Sequence, residues 1–323
     1  MNRTHRIAVV FLTVAGFVLA QAPPQAPPAG NAPGGRAGAG RGGFAPLPIG
    51  PMAPVPPEVA IPIPTPTELA TVNQEVMKLI ASDKSAAKPL LTKFASLLML
   101  EPPRLNVAAT YTQSTMRVGA RHEGFVETAK QGNIDLLLDG DSITDWWVQG
   151  DAKKAMFDKY FGGYKTANFA IAGDTTQGVL WGLHNGEGQG FQPKAIMLMI
   201  GTNNTGGNNN AGTATGAEIA EGVGAVVLEM RNDFPQAKIL LLAVFPRGLP
   251  GDSARDKIAD INRRIAKLDD QRHIFYMDIG PNFLDAQGTF LADTFQADNL
   301  HPTAKGYDIW GAAVKDKLAE LIK

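Results

Sequence analysis

Five short apolar runs, at Ile134–Leu138, Thr166–Ile171, Ala195–Ile200, Ile239–Phe245 and Ile274–Met277, most constrain the fold of this chain. Each is largely continuous rather than alternating, with Asp135, Thr166 and Asn168 as the polar exceptions. A strand that is apolar at every position must be covered on both faces. Between the runs lie helical patterns at about 151–161, 175–185, 215–232 and 253–269, with a last helix at about 303–322. Strand and helix in alternation imply a parallel sheet with helices on both faces, so residues 115–323 are read as one α/β domain.

The rest of the chain has other characters. Arg3, His5 and Arg6 precede an apolar run, Ile7 to Ala20, that ends in Val18-Leu19-Ala20. That pattern predicts a signal peptide over 1–20 and an exported, periplasmic or extracellular, protein. The run is short for a membrane span, so no transmembrane anchor is expected. Residues 21–66 hold 14 of the 23 prolines and are expected to form a disordered linker. Leu69, Val72, Val76, Leu79 and Ile80 then form a helical stripe, opened by Thr67-Glu68 and ending near Ser82. A second helix is expected over about Ala86 to Leu100, making 67–114 a helical extension packed on the main domain.

Composition excludes several functions. With no cysteine, the chain has no disulfide, thiol nucleophile or thiolate metal site. Its formal charge of −1, or −3 without Arg3 and Arg6, leaves no electrostatic footprint for nucleic acid. No HExxH or paired metal-ligand spacing, no Walker loop and no GxGxxG after the first strand is found, so neither metal nor cofactor is expected.

In open α/β sheets, ligands bind outside the carboxyl ends of the strands. The first strand delivers Gly140-Asp141-Ser142, the second Ala172-Gly173-Asp174, the third Gly201-Thr202-Asn203-Asn204, and Asp298-Asn299-Leu300-His301 precedes the last helix. Alone, Ser142 reads equally as the cap of a helix starting near Ile143. Together these groups supply what a serine nucleophile requires. His301 is a base for the Ser142 hydroxyl, and Asp298 is a carboxylate to orient it. The backbone N–H groups of Ser142 and Gly173 and the Asn203 amide are donors for an oxyanion. His122, His184 and His273 lack such a setting.

GDSI at 140–143, Gly173, GTNN at 201–204 and DNLHP at 298–302 resemble, as a set, the four blocks of the SGNH (GDSL) hydrolase family. Within it, GDTTQGVLWGLHNGE at 173–187 and PRG at 246–248 resemble the catalytic subunits of intracellular platelet-activating-factor acetylhydrolase, and exported bacterial acetylesterases share the blocks. The resemblance implies a flavodoxin-like three-layer α/β/α sandwich of five parallel strands in the order 2-1-3-4-5. It also implies Ser142, Asp298 and His301 as the triad, with Gly173 and Asn203 as oxyanion donors.

The expected function is hydrolysis of short-chain, chiefly acetyl, esters, with an acetylated carbohydrate as one substrate class. A lipid-directed acetylhydrolase or lysophospholipase and a non-catalytic carbohydrate-binding module are the alternatives. Ile143, Thr202 and Leu300 flank the site residues and are candidate acyl-pocket walls. Of Trp146 and Trp147, at least one is expected in the core and the other as an apolar shelf. Arg247 is a candidate anion contact or structural ion pair, and the Gly/Asn-rich loop 205–212 adjoins Asn203.

Overall fold

The structure is a computed structural model and describes residues 48–206 and 214–323. The expected signal peptide, the first part of the expected linker and most of the Gly/Asn-rich loop therefore lie outside the described residues. In chain order the elements are α1 (Pro66–Ser82), α2 (Lys88–Lys93), α3 (Ala120–Gln131), β1 (Leu136–Gly140) and α4 (Ser142–Asp145). Then follow α5 (Asp151–Phe161), β2 (Thr166–Asn168), α6 (Thr176–Gly182), β3 (Ala195–Met199) and α7 (Gly216–Asp233). The chain ends with β4 (Lys238–Leu242), α8 (Ser253–Ile265), β5 (Ile274–Met277) and α9 (Ala304–Leu321). Sequence periodicity missed α3, whose charged ARHEGFVETAKQ carries no apolar stripe.

The five strands form one parallel sheet in the order β2-β1-β3-β4-β5, as expected. Residues alternate across it with period two. Leu137, Ile196, Leu198, Ile239 and Leu241 face a core shared with α6, α7 and α8. Leu136, Leu138, Met197, Leu240 and Leu242 face the other core, filled from α5 and α9 by Phe161, Tyr307 and Trp310. A three-layer α/β/α sandwich results. Among the described residues, no helix is long and apolar enough to cross a membrane.

Two expectations about the N-terminal part need correction. The linker does not extend to residue 66, because 48–65 is a strap laid on the domain. Met52 bridges Thr110, the Ala53 amide donates to Ala109 O at 2.8 Å, and Ala53 and Val59 are buried. The strap sits where α7 lacks side chains. A Cβ on Gly224 would lie 2.5 Å from Val59, and one on Gly222 would lie 2.5 Å from Ala108 O. The missing Cβ at Gly224 thus leaves room for Val59 and Pro56 of the strap, and that at Gly222 for the carbonyl of Ala108, beside the residue that the strap pairs with.

The extension is not packed through its helices either. α1 opens with a capping box, Thr65 and Glu68 exchanging bonds around Pro66. α1 and α2 pair only as a hairpin, with Asn73 bonded to the Leu100 backbone. Neither contributes to the two core clusters. The second helix is also shorter than expected, ending at Lys93 and continuing as a 3-10 turn over Ala95–Leu98.

Candidate active site

The opening ambiguity at Ser142 is resolved by its neighbour. Asp141 is the N-cap of α4, and its Oδ1 accepts from the Ile143 amide at 3.0 Å. Ser142 is therefore the first helical residue and its hydroxyl is not used for capping. Its Oγ lies 2.8 Å from His301 Nε2. His301 Nδ1 lies 2.6 Å from Asp298 Oδ2, while Asp298 Oδ1 accepts from the Leu300 and His301 amides at 3.0 Å each. An unbroken chain of side-chain contacts thus runs from hydroxyl to imidazole to carboxylate.

Local sequence explains how His301 gets there. Asn299 takes φ +50°, and the loop is pinned by Gln296 N donating to His301 O at 2.8 Å. Partial burial pushes the Asp298 carboxyl up. The His301 ring and the two amides outweigh that and hold it below the usual range. It stays ionised at neutral pH, which fixes the tautomer of His301 with hydrogen on Nδ1 and leaves Nε2 to accept from Ser142.

Gly173 follows β2 with φ +82°, a conformation that favours glycine. Beside it, Asp174 O accepts from Asn203 Nδ2 at 2.7 Å, which orients that amide next to the glycine loop. The backbone N–H groups of Ser142 and Gly173 make no hydrogen bond to another described residue. The three predicted oxyanion donors and the three relay residues lie at the carboxyl edge of the sheet, in the loops after β1, β2 and β3 and before α9.

The predicted acyl pocket fares differently. Ile143 is 1% exposed and packs in the core cluster with Phe245 and Trp310. Thr202 is fully buried, and its carbonyl accepts from Arg247 Nη1 at 3.1 Å. Neither has surface to present to an acyl chain; α4 and the third loop turn these side chains inward. Only Leu300, half-buried against the same cluster, retains a surface. Trp147 is in the core, and Trp146 stacks on the His301 ring at 4.0 Å between centroids. Arg247 ties the third loop together through Thr202 and Thr205, a structural role.

One group at the site was not foreseen. Arg117 is fully buried, with Nε 2.7 Å from Asp174, Nη2 3.3 Å from Asp139, and Nη1 on Glu187. Glu187 also meets His122 at 2.7 Å. Burial pushes the Asp139 carboxyl up to about 7 despite the nearby guanidinium. Since Asp174 holds Asn203, this cluster braces the oxyanion loop from behind. Asp174 and Glu187 stand in the 173–187 block already singled out; a lone arginine in a loop carried no signal of its own.

Comparisons with known proteins place the chain in a family. The model of the GDSL-like Lipase/Acylhydrolase family matches residues 140–309. The chain belongs to that family. The alpha2 subunit of platelet-activating factor acetylhydrolase IB is 33% identical over 223 residues in Gallus gallus, covering 68% of this chain and 90% of that protein. In Rattus norvegicus the same subunit is 34% identical with the same coverage. A solved structure of a candidate acylhydrolase from Bacteroides fragilis superimposes with a TM-score of 0.52 at 17% identity, covering 65% of this chain and 100% of that one. The last match speaks to the fold; family membership makes this GDSL-like acylhydrolase an ester hydrolase.

Proposed function

We propose that this acylhydrolase is an exported serine esterase that cleaves short-chain, chiefly acetyl, esters through Ser142, His301 and Asp298. The observation that carries the reading is the contact chain of 2.8 and 2.6 Å from Ser142 Oγ through His301 to Asp298. His301 Nε2 takes the hydroxyl proton as Oγ bonds to the ester carbonyl carbon. The oxyanion that forms is met by the N–H groups of Ser142 and Gly173 and by the Asn203 amide. His301 then returns the proton to the departing alcohol, and water, activated by the same imidazole, releases the acid from the acyl-serine.

A short acyl group is supported by the close setting of the nucleophile: Ser142 and Asn203 are each 4% exposed. It is also supported by the relatives, which are named acetylhydrolases. For the alcohol, the export-signal pattern at 1–20 favours an acetylated carbohydrate, whereas the relatives' names favour a lipid.

The test is turnover of nitrophenyl esters from C2 to C12, each below its aggregation limit, by the parent and by Ser142→Ala. The reading expects a maximum at C2–C4 and a loss of about 10⁴-fold or more in the variant, as for removal of a nucleophile acting within a triad. A variant with a tenth of the parent rate would reject the nucleophile, and a maximum at C8 or beyond would reject the short acyl group. Acetylated xylo-oligosaccharide and an acetyl phospholipid, compared at equal concentration, separate the two alcohols.

A further inference from the structure

The α1–α2 hairpin leaves an apolar stripe without a protein partner among the described residues. Leu90, Phe94, Leu97 and Leu98, at helical spacing along α2 and its 3-10 continuation, are 60, 45, 77 and 46% exposed. The intervening Leu91, Ala95 and Met99 are the half-buried ones. A monomeric protein seldom leaves four large apolar side chains in one such row.

The segment that carries the stripe is itself basic, with Asp83 and Glu101 just beyond its two ends. Residues 84–100 contain Lys84, Lys88 and Lys93 and no acidic residue. Lys93 Nζ lies over the Phe94 ring, 5.2 Å from its centroid, and Lys88 reaches the Ala81 carbonyl. The stripe contains no Tyr, Trp or Arg, the residues that anchor protein interfaces. Leucines and a phenylalanine flanked by lysines are the composition of a segment that lies in the plane of a lipid interface.

The placement of the hairpin gives such docking a consequence. It is rooted on the first turns of α7, where Arg104 forks onto Glu218 at 2.7 and 2.8 Å and the Ile61 amide donates to Glu221. In a parallel sandwich the helix that follows β3 begins at the carboxyl edge of the sheet, the edge that holds Ser142 and Asn203. The hairpin therefore grows from the rim of the catalytic edge.

We propose that the α1–α2 hairpin is a docking device for an anionic lipid surface, with Leu90, Phe94, Leu97 and Leu98 entering the interface and Lys84, Lys88 and Lys93 meeting the head groups. It does not depend on which ester is cleaved, because it concerns where the enzyme works.

The test uses the full chain with vesicles of phosphatidylcholine alone or with one third phosphatidylglycerol, read by cosedimentation. The parent is compared with Leu90→Gln/Phe94→Gln/Leu97→Gln and with Lys84→Gln/Lys88→Gln/Lys93→Gln. All three chains share the apolar run at 7–20, so differences among them report the hairpin. Phosphatidylglycerol should raise the parent's affinity about tenfold, and each variant should lose about tenfold on those vesicles, consistent with the attraction of a few basic groups to an anionic leaflet. Turnover of soluble nitrophenyl acetate should be unchanged and serves as the check of folding. Should the glutamine-for-leucine variant unfold, the lysine variant alone decides. Parent and variants binding alike, or no preference for the anionic vesicles, would overturn the proposal. So would a dimer mass seen for the parent and lost in the variants, which would give the face to a second copy.

Discussion

Two constellations of charge flank Ser142, the proposed nucleophile of this enzyme, and they use the same residue types to opposite ends. Behind the oxyanion loop, Arg117, Asp139, Asp174 and Glu187 are sealed from solvent and joined side chain to side chain. At the rim, Asp298 and His301 form a pair whose carboxylate is 46% exposed. The four side chains of the sealed group present no surface of their own, and the work the contacts show is to hold Asp174 and, through it, Asn203. The rim pair ends on a hydroxyl rather than on another charge. Charge burial alone would have pointed to the wrong set. What marks the reactive set is an imidazole between a nucleophile and an acid, with a route to solvent.

Removing the cation from the sealed set should give the largest effect on folding. Arg117→Met leaves three buried carboxylates uncompensated and should destabilise by about 3–5 kcal/mol in urea unfolding at pH 7, as for a broken buried pair. The part of the loss that belongs to Asp139, whose carboxyl burial already pushes up to about 7, should be recovered at pH 5. A pH-independent loss below ~1 kcal/mol would mean that Arg117 does not compensate them.

Next comes the link between the two sets. Asn203→Ala should lower kcat by about 10²–10³ with little change in KM, the cost of one oxyanion donor. A raised KM at constant kcat would make Asn203 a binding residue and leave the sealed cluster bracing nothing catalytic.

The smallest effect belongs to Asp141, the cap beneath the nucleophile. Burial pushes its carboxyl up to about 7, above its value in the unfolded chain. Stability associated with the neutral form is therefore full below the ordinary carboxylate range and is lost as pH rises through about 7. Asp141→Asn keeps an acceptor for the Ile143 amide and removes the titration. Relative to the parent it should gain ~1–3 kcal/mol between pH 5 and pH 8. A difference that stays constant across that interval would show that Asp141 is not held near neutrality.

How much of this was legible follows from which physics the residues express locally. The sheet and its order were legible because strands buried on both faces read as continuous apolar runs, and the family blocks supplied the order. The convergence of Ser142, Gly173, Asn203, Asp298 and His301 on one edge was legible because each falls at a strand end or before the last helix, where polar groups serve a reason other than packing. The acyl walls were not, since adjacency in sequence to Ser142 and Asn203 says nothing about which way α4 turns Ile143. The strap at 48–65 was hidden by its prolines, which suggest a spacer. Yet Gly224, amid the apolar stretch of α7, was the available signal that another segment packs closely there. Arg117 left no trace, because a buried ion cluster is assembled from segments far apart in sequence, here the Arg117 loop, β1 and the 173–187 block.

The account rests on Ser142 being the group that His301 activates. Incubating the enzyme with a fluorophosphonate and mapping the adduct by peptide mass spectrometry tests this most directly. The label should appear on Ser142 alone, in step with loss of turnover, and His301→Ala should slow labelling by orders of magnitude. Label on another residue, or full labelling of Ser142 with turnover intact, would contradict it.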